Sequence, residues 1–88
     1  MLRRTTTAEL VRVLDVLARV TENDRVLSEL DLLIYEQQII DSLGTVELIV
    51  SLGETFNRDI SPADVDLKDW ATPRLMMADM ERRLSHAF

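Results

Sequence analysis

The chain has 88 residues, of which 16 are acidic and 10 basic, for a formal net charge of −6 at pH 7. A chain of this length allows one small domain, expected over residues 1–88, without room for a deep catalytic cleft, and its charge disfavours nucleic acid and anionic lipid while favouring basic protein partners. It has no cysteine, so we expect no disulfides. It also has no long apolar run, so we expect no targeting signal and no membrane insertion. We therefore expect a soluble, cytoplasmic monomer.

The first predicted helix begins after Thr6, because Thr6 and Glu9 have the spacing of a capping box. It extends to about Val20, and apolar residues at three- and four-residue steps form its inward stripe: Leu10, Val13, Leu14 and Leu17. The segment 21–40 contains LSELDLLIYEQQII, which is apolar enough for a helix. Its β-branched and aromatic members equally suit an extended segment anchored to the core. We predict a long loop pinned to the core.

The second predicted helix runs from Ser42 to about Phe56 and has two apolar faces. One stripe has the spacing of a buried face: Leu48, Ile49, Leu52 and Phe56. The other begins beside Ser42 and has the spacing with which a helix docks against a partner: Leu43, Val46, Glu47, Val50 and Glu54. The alternative for this second stripe is that Val46 and Val50 contact the pinned loop.

The C-terminal part of the chain predicts two further helices, each with a proline at its first position. A short helix is capped by Ser61 and stops near Asp66, and the last helix is capped by Thr72. The last helix directs four apolar side chains inward: Met76, Met77, Met80 and Leu84. No segment alternates like a strand. The expected fold is therefore all-α, a four-helix bundle with three main helices, one short helix and a long first loop.

Ser42 stands at a helix start, where its side chain could cap the helix or serve as an attachment point. A phosphate on its hydroxyl would lie among free backbone N–H groups at the positive end of the helix dipole. Gly44, costly inside a helix, would let another surface approach the first turn closely. The serine therefore has two alternative roles, one structural and one chemical.

The sequence offers little to an enzyme, and we predict no catalytic residues. His86 is the only histidine and lies near the C-terminus, and no suitable base stands near Ser42, since the neighbouring Asp41 is a poor base for a serine. The sequence around Asp64, Asp66 and Asp69 does not have the glycine and the distal glutamate that a calcium-binding loop requires. We therefore expect these three residues to form a solvated acidic face and not a metal site. Trp70, ahead of the last helix, is expected to be a core lid.

Two segments carry a resemblance to a known family. The segment DSLGTVELIVSLGETF resembles the phosphopantetheine attachment segment of the acyl carrier protein family, with Ser42 matching the modified serine. LLIYEQQIIDSLGTVEL followed by FNRDISPADVDLKDWATPRLM is similar in order and spacing to D-alanyl carrier proteins, including Gly44, Thr45 and the Trp-x-Thr-Pro run at 70–73. The similarity covers about residues 26–84.

The sequence also departs from that pattern. Gln37 and Gln38 stand where such carriers more often have an acidic residue and a glycine, and arginines at positions 3, 4 and 74 are not part of it. Fatty acyl carriers, in turn, typically have acidic residues at the positions of Gly44 and Gly53. An acyl carrier for fatty acid or polyketide synthesis remains an alternative, as does an acidic helical adaptor that is never modified.

The resemblance implies a covalent 4′-phosphopantetheine arm, attached to Ser42 by a phosphopantetheinyl transferase. A ligase would load an aminoacyl or acyl group on the arm's thiol as a thioester, D-alanine in the family resembled, and a membrane-bound acyltransferase would pass it toward lipoteichoic acid. The residues expected to face these partners are Asp41, Leu43, Gly44, Val46, Glu47, Val50 and Glu54. The cargo is expected to be a small amino acid, because a packed core of this size leaves little volume for a fatty tail.

Overall fold

The computed structural model describes residues 6–85, and all of the regular secondary structure in that range is helical. The α-helices are α1 (Thr7–Thr21), α2 (Ser42–Phe56) and α3 (Pro73–Ser85), and short 3₁₀ helices span Asp24–Leu27, Pro62–Asp64 and Leu67–Trp70. The first helix, α1, packs against both α2 and α3, and apolar side chains from all three meet in one core. The expectation of an all-α, carrier-like bundle is confirmed.

The capping box predicted for α1 is present. The Glu9 backbone N–H donates to Thr6 Oγ1 at 3.2 Å, and the Thr6 N–H donates to the Glu9 carboxylate at 3.1 Å. The buried face is wider than the predicted stripe, because Leu10 is only half-buried while the buried set is Val13, Leu14, Val16, Leu17 and Ala18. This broad face lets α1 contact two other helices at once.

The connection from α1 to α2 is a loop pinned to the core, as predicted, with one 3₁₀ helix near its start. Its buried anchors are Val26, Leu32, Ile34 and Ile40. The loop backbone also bonds to the beginning of α3: the Ile34 N–H donates to the Ala71 carbonyl at 3.1 Å, and the Arg74 N–H donates to the Leu30 carbonyl at 2.9 Å. These contacts fix the path of the loop toward Ser42.

The short helix predicted after Ser61 is a single 3₁₀ helix that ends at Asp64, earlier than expected. Ser61 is its cap, as predicted, and accepts a hydrogen bond from the Ala63 N–H at 3.3 Å. Asp66 then caps a second 3₁₀ helix by accepting a hydrogen bond from the Lys68 N–H at 3.0 Å. Closely spaced side-chain caps bend the chain twice here and prevent a longer helix.

The last helix begins at Pro73 as predicted, and Thr72 Oγ1 accepts a hydrogen bond from the Leu75 N–H at 3.1 Å. Its inward apolar side chains are buried except for Met77, which is only partly buried. The fully or almost fully buried ones are Met76, Met80 and Leu84. The thioether side chains thus fill the space between α3 and the other helices.

Candidate functional site

The first turn of α2 is capped by Asp41 and not by Ser42. The Asp41 backbone is extended, and its carboxylate accepts a hydrogen bond from the Gly44 N–H at 2.8 Å. Ser42 is therefore the first helical residue, and the interpretation of this serine as the cap is wrong. Its side chain is exposed, and within residues 6–85 nothing is hydrogen-bonded to its hydroxyl. The hydroxyl is available for chemistry because its neighbour performs the capping.

The side chains of Thr45 and Tyr35 also stabilise this turn through hydrogen bonds. Thr45 Oγ1 donates to the Asp41 carbonyl at 2.8 Å, and the Tyr35 hydroxyl is 2.7 Å from Thr45 Oγ1. Because the threonine hydrogen is already directed at a carbonyl, Tyr35 donates in this pair. Burial raises the pKa of the Tyr35 hydroxyl, so the phenol stays neutral near pH 7. The pair links the pinned loop to the start of α2.

The missing side chain of Gly44 has a packing role within the chain. A Cβ at position 44 would lie 2.9 Å from Ile40 Cγ1 and 3.3 Å from Asp41 Oδ1. The missing side chain therefore makes room for Ile40 and for the capping carboxylate within the same chain. This internal packing keeps the turn carrying Ser42 close to the loop, and the expected approach of another surface at Gly44 stays a prediction.

A surface depression of about 560 Å³ lies directly beside Ser42, which forms part of its wall. The end of α1 contributes Val20 and Thr21, the loop contributes Tyr35 and Ile39, and the start of α2 completes it. All four of these side chains are half-buried. Sequence inspection missed them as site residues because they come from separate parts of the chain and share no local pattern.

The second stripe of α2 is a solvent-facing surface, which we call the α2 face: Leu43, Val46, Glu47, Val50 and Glu54. The side chain of Leu43 is 79% exposed, that of Val46 49% and that of Val50 55%. The loop therefore does not cover the two valines, and about half of each side chain is open to solvent. Apolar groups exposed to this extent in one row are typical of surfaces that bind partners. Of the other expected partner residues, Asp41 is exposed and Gly44 is half-buried.

Other candidate positions lie away from this site or outside the described residues. The acidic side chains of Asp64, Asp66 and Asp69 are exposed, as expected of a solvated face. Among residues 6–85, no cluster of histidine, aspartate and glutamate is arranged to hold a metal ion. In the same range, every helix is too short or too polar to span a bilayer. His86 and the arginines at positions 3 and 4 lie outside the described residues.

Comparison with known proteins identifies the family. A D-alanyl carrier protein of Bacillus cereus (strain B4264) is 39% identical over 70 residues, which cover 80% of this chain and 89% of that protein. The chain belongs to the D-alanyl carrier protein family. A D-alanyl carrier protein of Bacillus anthracis (strain CDC 684 / NRRL 3495) shows the same identity and coverage. No family model matches the chain.

Proteins of the D-alanyl carrier family are carriers and not enzymes, and they bear a covalently attached 4′-phosphopantetheine arm. They act together with enzymes that load and unload them. The start of α2 fits such an arm. The Ser42 hydroxyl is exposed, and among residues 6–85 the N–H groups of Ser42 and Leu43 have no hydrogen-bond acceptor, so they can stabilise a phosphate.

Proposed function

We propose that Ser42 is the residue that carries the 4′-phosphopantetheine arm of this D-alanyl carrier family member. The observation that carries the proposal is the exposed, unbonded hydroxyl at the first position of α2. Asp41 orients the turn through the Gly44 N–H, and the free N–H groups of Ser42 and Leu43 favour a phosphodiester there. When bound, the arm supplies a thiol on which cargo is held as a thioester.

Intact-mass analysis tests the attachment. Incubation with a phosphopantetheinyl transferase and coenzyme A should add one phosphopantetheine to the unmodified protein, and Ser42→Ala should gain nothing while keeping its helical circular dichroism. Ser28→Ala, which removes another exposed serine hydroxyl, serves as the matched control and should be labelled fully. Labelling of Ser42→Ala at the wild-type level would disprove the assignment.

We further propose that the α2 face binds the enzymes that act on this carrier. Its exposed apolar side chains can be buried by a partner, and the only charged residues of α2 are Glu47 and Glu54, so a complementary surface is basic. The face begins at Leu43, next to the proposed attachment point, which lets one docked enzyme reach Ser42. A transferase, a ligase and an acyltransferase would use it in turn, each on a single copy of the carrier in the cytoplasm.

Reversal of one charge on this face tests the docking proposal. Glu47→Lys should slow transferase labelling, and the effect should be larger at low salt than at high salt because ions screen the attraction. Asp15→Lys makes the same charge change at an exposed position of α1 and should label at nearly the wild-type rate. Unchanged labelling of Glu47→Lys at every ionic strength would place Glu47 outside the interface.

We propose D-alanine as the cargo, for delivery by a membrane-bound acyltransferase toward lipoteichoic acid. The relatives bear the name D-alanyl carrier protein. The core also supports a small cargo, because the core side chains of α2 and α3 are fully buried and a fatty chain would have to displace them: Leu48, Leu52, Met76 and Met80. A small polar amino acid gains nothing from burial and can stay in solvent within reach of an enzyme.

Comparative charging of the modified protein tests the cargo. A D-alanine-activating ligase should form the D-alanyl thioester efficiently, whereas an acyl carrier synthetase supplied with a long-chain fatty acid should charge the protein poorly. The unmodified protein serves as the control and should accept neither group. Since methionine side chains can rearrange, efficient fatty acyl charging with no D-alanyl charging would favour the fatty acid or polyketide carrier instead.

A further inference from the structure

The depression beside Ser42 has no role in the function described so far. It lies between the end of α1, the last part of the pinned loop and the first turn of α2, with a volume of about 560 Å³. Its floor is formed by half-buried side chains, including Val20, Thr21, Tyr35 and Ile39, while Gln38 and Asp41 lie at its exposed rim. A depression of this size can hold a small organic group.

We propose that this depression is the resting site of the pantetheine portion of the arm, which folds back over the loop and the end of α1 between encounters with enzymes. The inference rests on the proposed attachment at Ser42. Because Ser42 forms part of the wall, the tether holds the arm at a high effective concentration, and weak contacts are sufficient for occupancy.

The chemistry of the lining matches that of pantetheine, which combines a dimethyl group, a hydroxyl and two amides. Val20 and Ile39 offer half-buried aliphatic surface to the dimethyl group. Thr21 Oγ1 donates to the Leu17 carbonyl at 2.8 Å and keeps its lone pairs for an amide N–H. The Gln38 amide is exposed at the rim and can both donate and accept.

The charges around the depression also suit a neutral ligand. Among the residues that the structure describes, Asp41 is the only carboxylate in the wall, and that carboxylate accepts the Gly44 N–H. The phenol of Tyr35 stays neutral because burial raises its pKa. The phosphate would remain at the start of α2, outside the neutral part of the depression.

Two other depressions of comparable size among the described residues are less suitable for the arm. One, of about 520 Å³, lies at the far end of α2 beside Gly53 and Asn57. That end is separated from Ser42 by the length of α2, 15 residues, or about 22 Å at the rise of an α-helix. Another, also of about 520 Å³, lies beside Arg25 and Arg74 and does not include Ser42. Only the first of the three contains the proposed attachment point.

Comparison of the unmodified and modified proteins by ¹⁵N–¹H NMR tests the inference without any activity measurement. After full mass gain, amide shifts should move at Val20 and Thr21, which are distant in sequence from Ser42, and nuclear Overhauser contacts should join the arm's methyl groups to Val20 and Ile39. The amides of Gly53 and Asn57 in the distant depression serve as controls and should not move.

A pair of matched variants sharpens the test. Thr21→Val keeps the shape of the side chain but removes the acceptor, and should shrink the modification-dependent shifts at Val20 and Ile39 several-fold with unchanged mass gain. Thr55→Val, on α2 away from the depression, should leave them at the wild-type size. If the shifts of the fully modified wild-type protein are confined to residues 41–45, the resting site is wrong while the attachment stands. Absence of any mass gain would instead disprove the attachment, and the inference with it.

Discussion

At the scale of single residues, Asp41 and Ser42 have separate roles. The cap needs a side chain that accepts the Gly44 N–H, and the extended backbone of Asp41 places its carboxylate there. In the sequence only Ser42 was identified as a possible cap, although aspartate caps helices equally well. Since Ser42 makes no capping bond, Ser42→Ala should change the free energy of unfolding by less than about 0.5 kcal/mol, and its loss of labelling can be attributed to the missing hydroxyl.

Gln38 is a second residue whose setting depends on backbone geometry. It has a φ of 58°, in the left-handed region that glycine tolerates best. Gln38→Gly should therefore raise the free energy of unfolding by about 0.5–1 kcal/mol, because relief of strain exceeds the added entropy of the unfolded chain. Chemical denaturation monitored by circular dichroism measures this change.

The neighbouring glutamine provides the control for this prediction. Gln37 does not have a positive φ, so Gln37→Gly relieves no backbone strain. The substitution should lower the free energy of unfolding by about 0.4–1 kcal/mol, because glycine raises the entropy of the unfolded chain. Equal destabilisation by both substitutions would show that Gln38 bears no conformational strain.

At the scale of elements, a buried carboxylate joins α3 to the 3₁₀ helix that precedes it. Trp70 is fully buried, as expected of a core lid, and its Nε1–H donates to the Asp79 carboxylate at 2.7 Å. Arg83 Nε also donates to that carboxylate at 2.8 Å, and Arg82 forms a further ion pair with it. Arg83 in addition donates to the Asp64 carbonyl at 2.9 Å. This network holds the segment after α2 against α3.

Removal of the charge at Asp79 should destabilise the protein in a pH-dependent manner. Burial raises the pKa of Asp79. Hydrogen bonds from Arg83 and Trp70 and the charges of both arginines lower this pKa by a larger amount, so the net pKa is below its ordinary 3.8. The stabilisation is therefore complete above that ordinary value and disappears as the pH falls through the lower folded-state pKa. Asp79→Asn should reduce the free energy of unfolding near pH 7 by about 1–3 kcal/mol.

Urea denaturation at a series of pH values measures this prediction. The difference in the free energy of unfolding between wild type and Asp79→Asn should be constant near neutrality and should narrow below about pH 4. In that range the carboxylate of the unfolded wild-type chain becomes protonated before that of the folded protein. Asp69→Asn, an exposed acid of the adjacent 3₁₀ helix, should change stability by less than about 0.5 kcal/mol. A pH-independent difference for Asp79→Asn would mean that folding does not lower the pKa of this carboxylate.

At the scale of the whole molecule, the arrangement of helices separates a core side from a partner side of α2. Its inner side chains are buried against the rest of the bundle, whereas the α2 face stays exposed at Leu43, Val46 and Val50. The loop is held by backbone bonds to α3 and by the exposed Asp31–Arg74 ion pair at 2.8 Å, although a surface pair of this kind adds little stability. The start of α2 is thus fixed by contacts from both the loop and the helices.

The sequence by itself determined the features that depend on local chemistry. The capping box of α1, the proline at the start of α3 and the apolar spacing located α1, α2 and α3 nearly to the residue, because the signals that begin and end a helix lie within a few positions of each other. The order of motifs around Ser42 likewise pointed to the carrier family, which the relatives confirm. The single domain over residues 1–88 and the role of Ser42 stay predictions.

Only the tertiary structure decided features that join distant parts of the chain. Trp70 could be recognised as buried from its type, but the carboxylate that pairs with its N–H had to come from a neighbouring element, and local spacing does not identify Asp79 as that partner. The contact of Tyr35 with Thr45 and the depression between Val20 and Ser42 arise in the same manner. Such contacts depend on how the loop and the helices pack in three dimensions. The periodicity of the sequence could not predict them, because it indicates only which face of one helix is apolar.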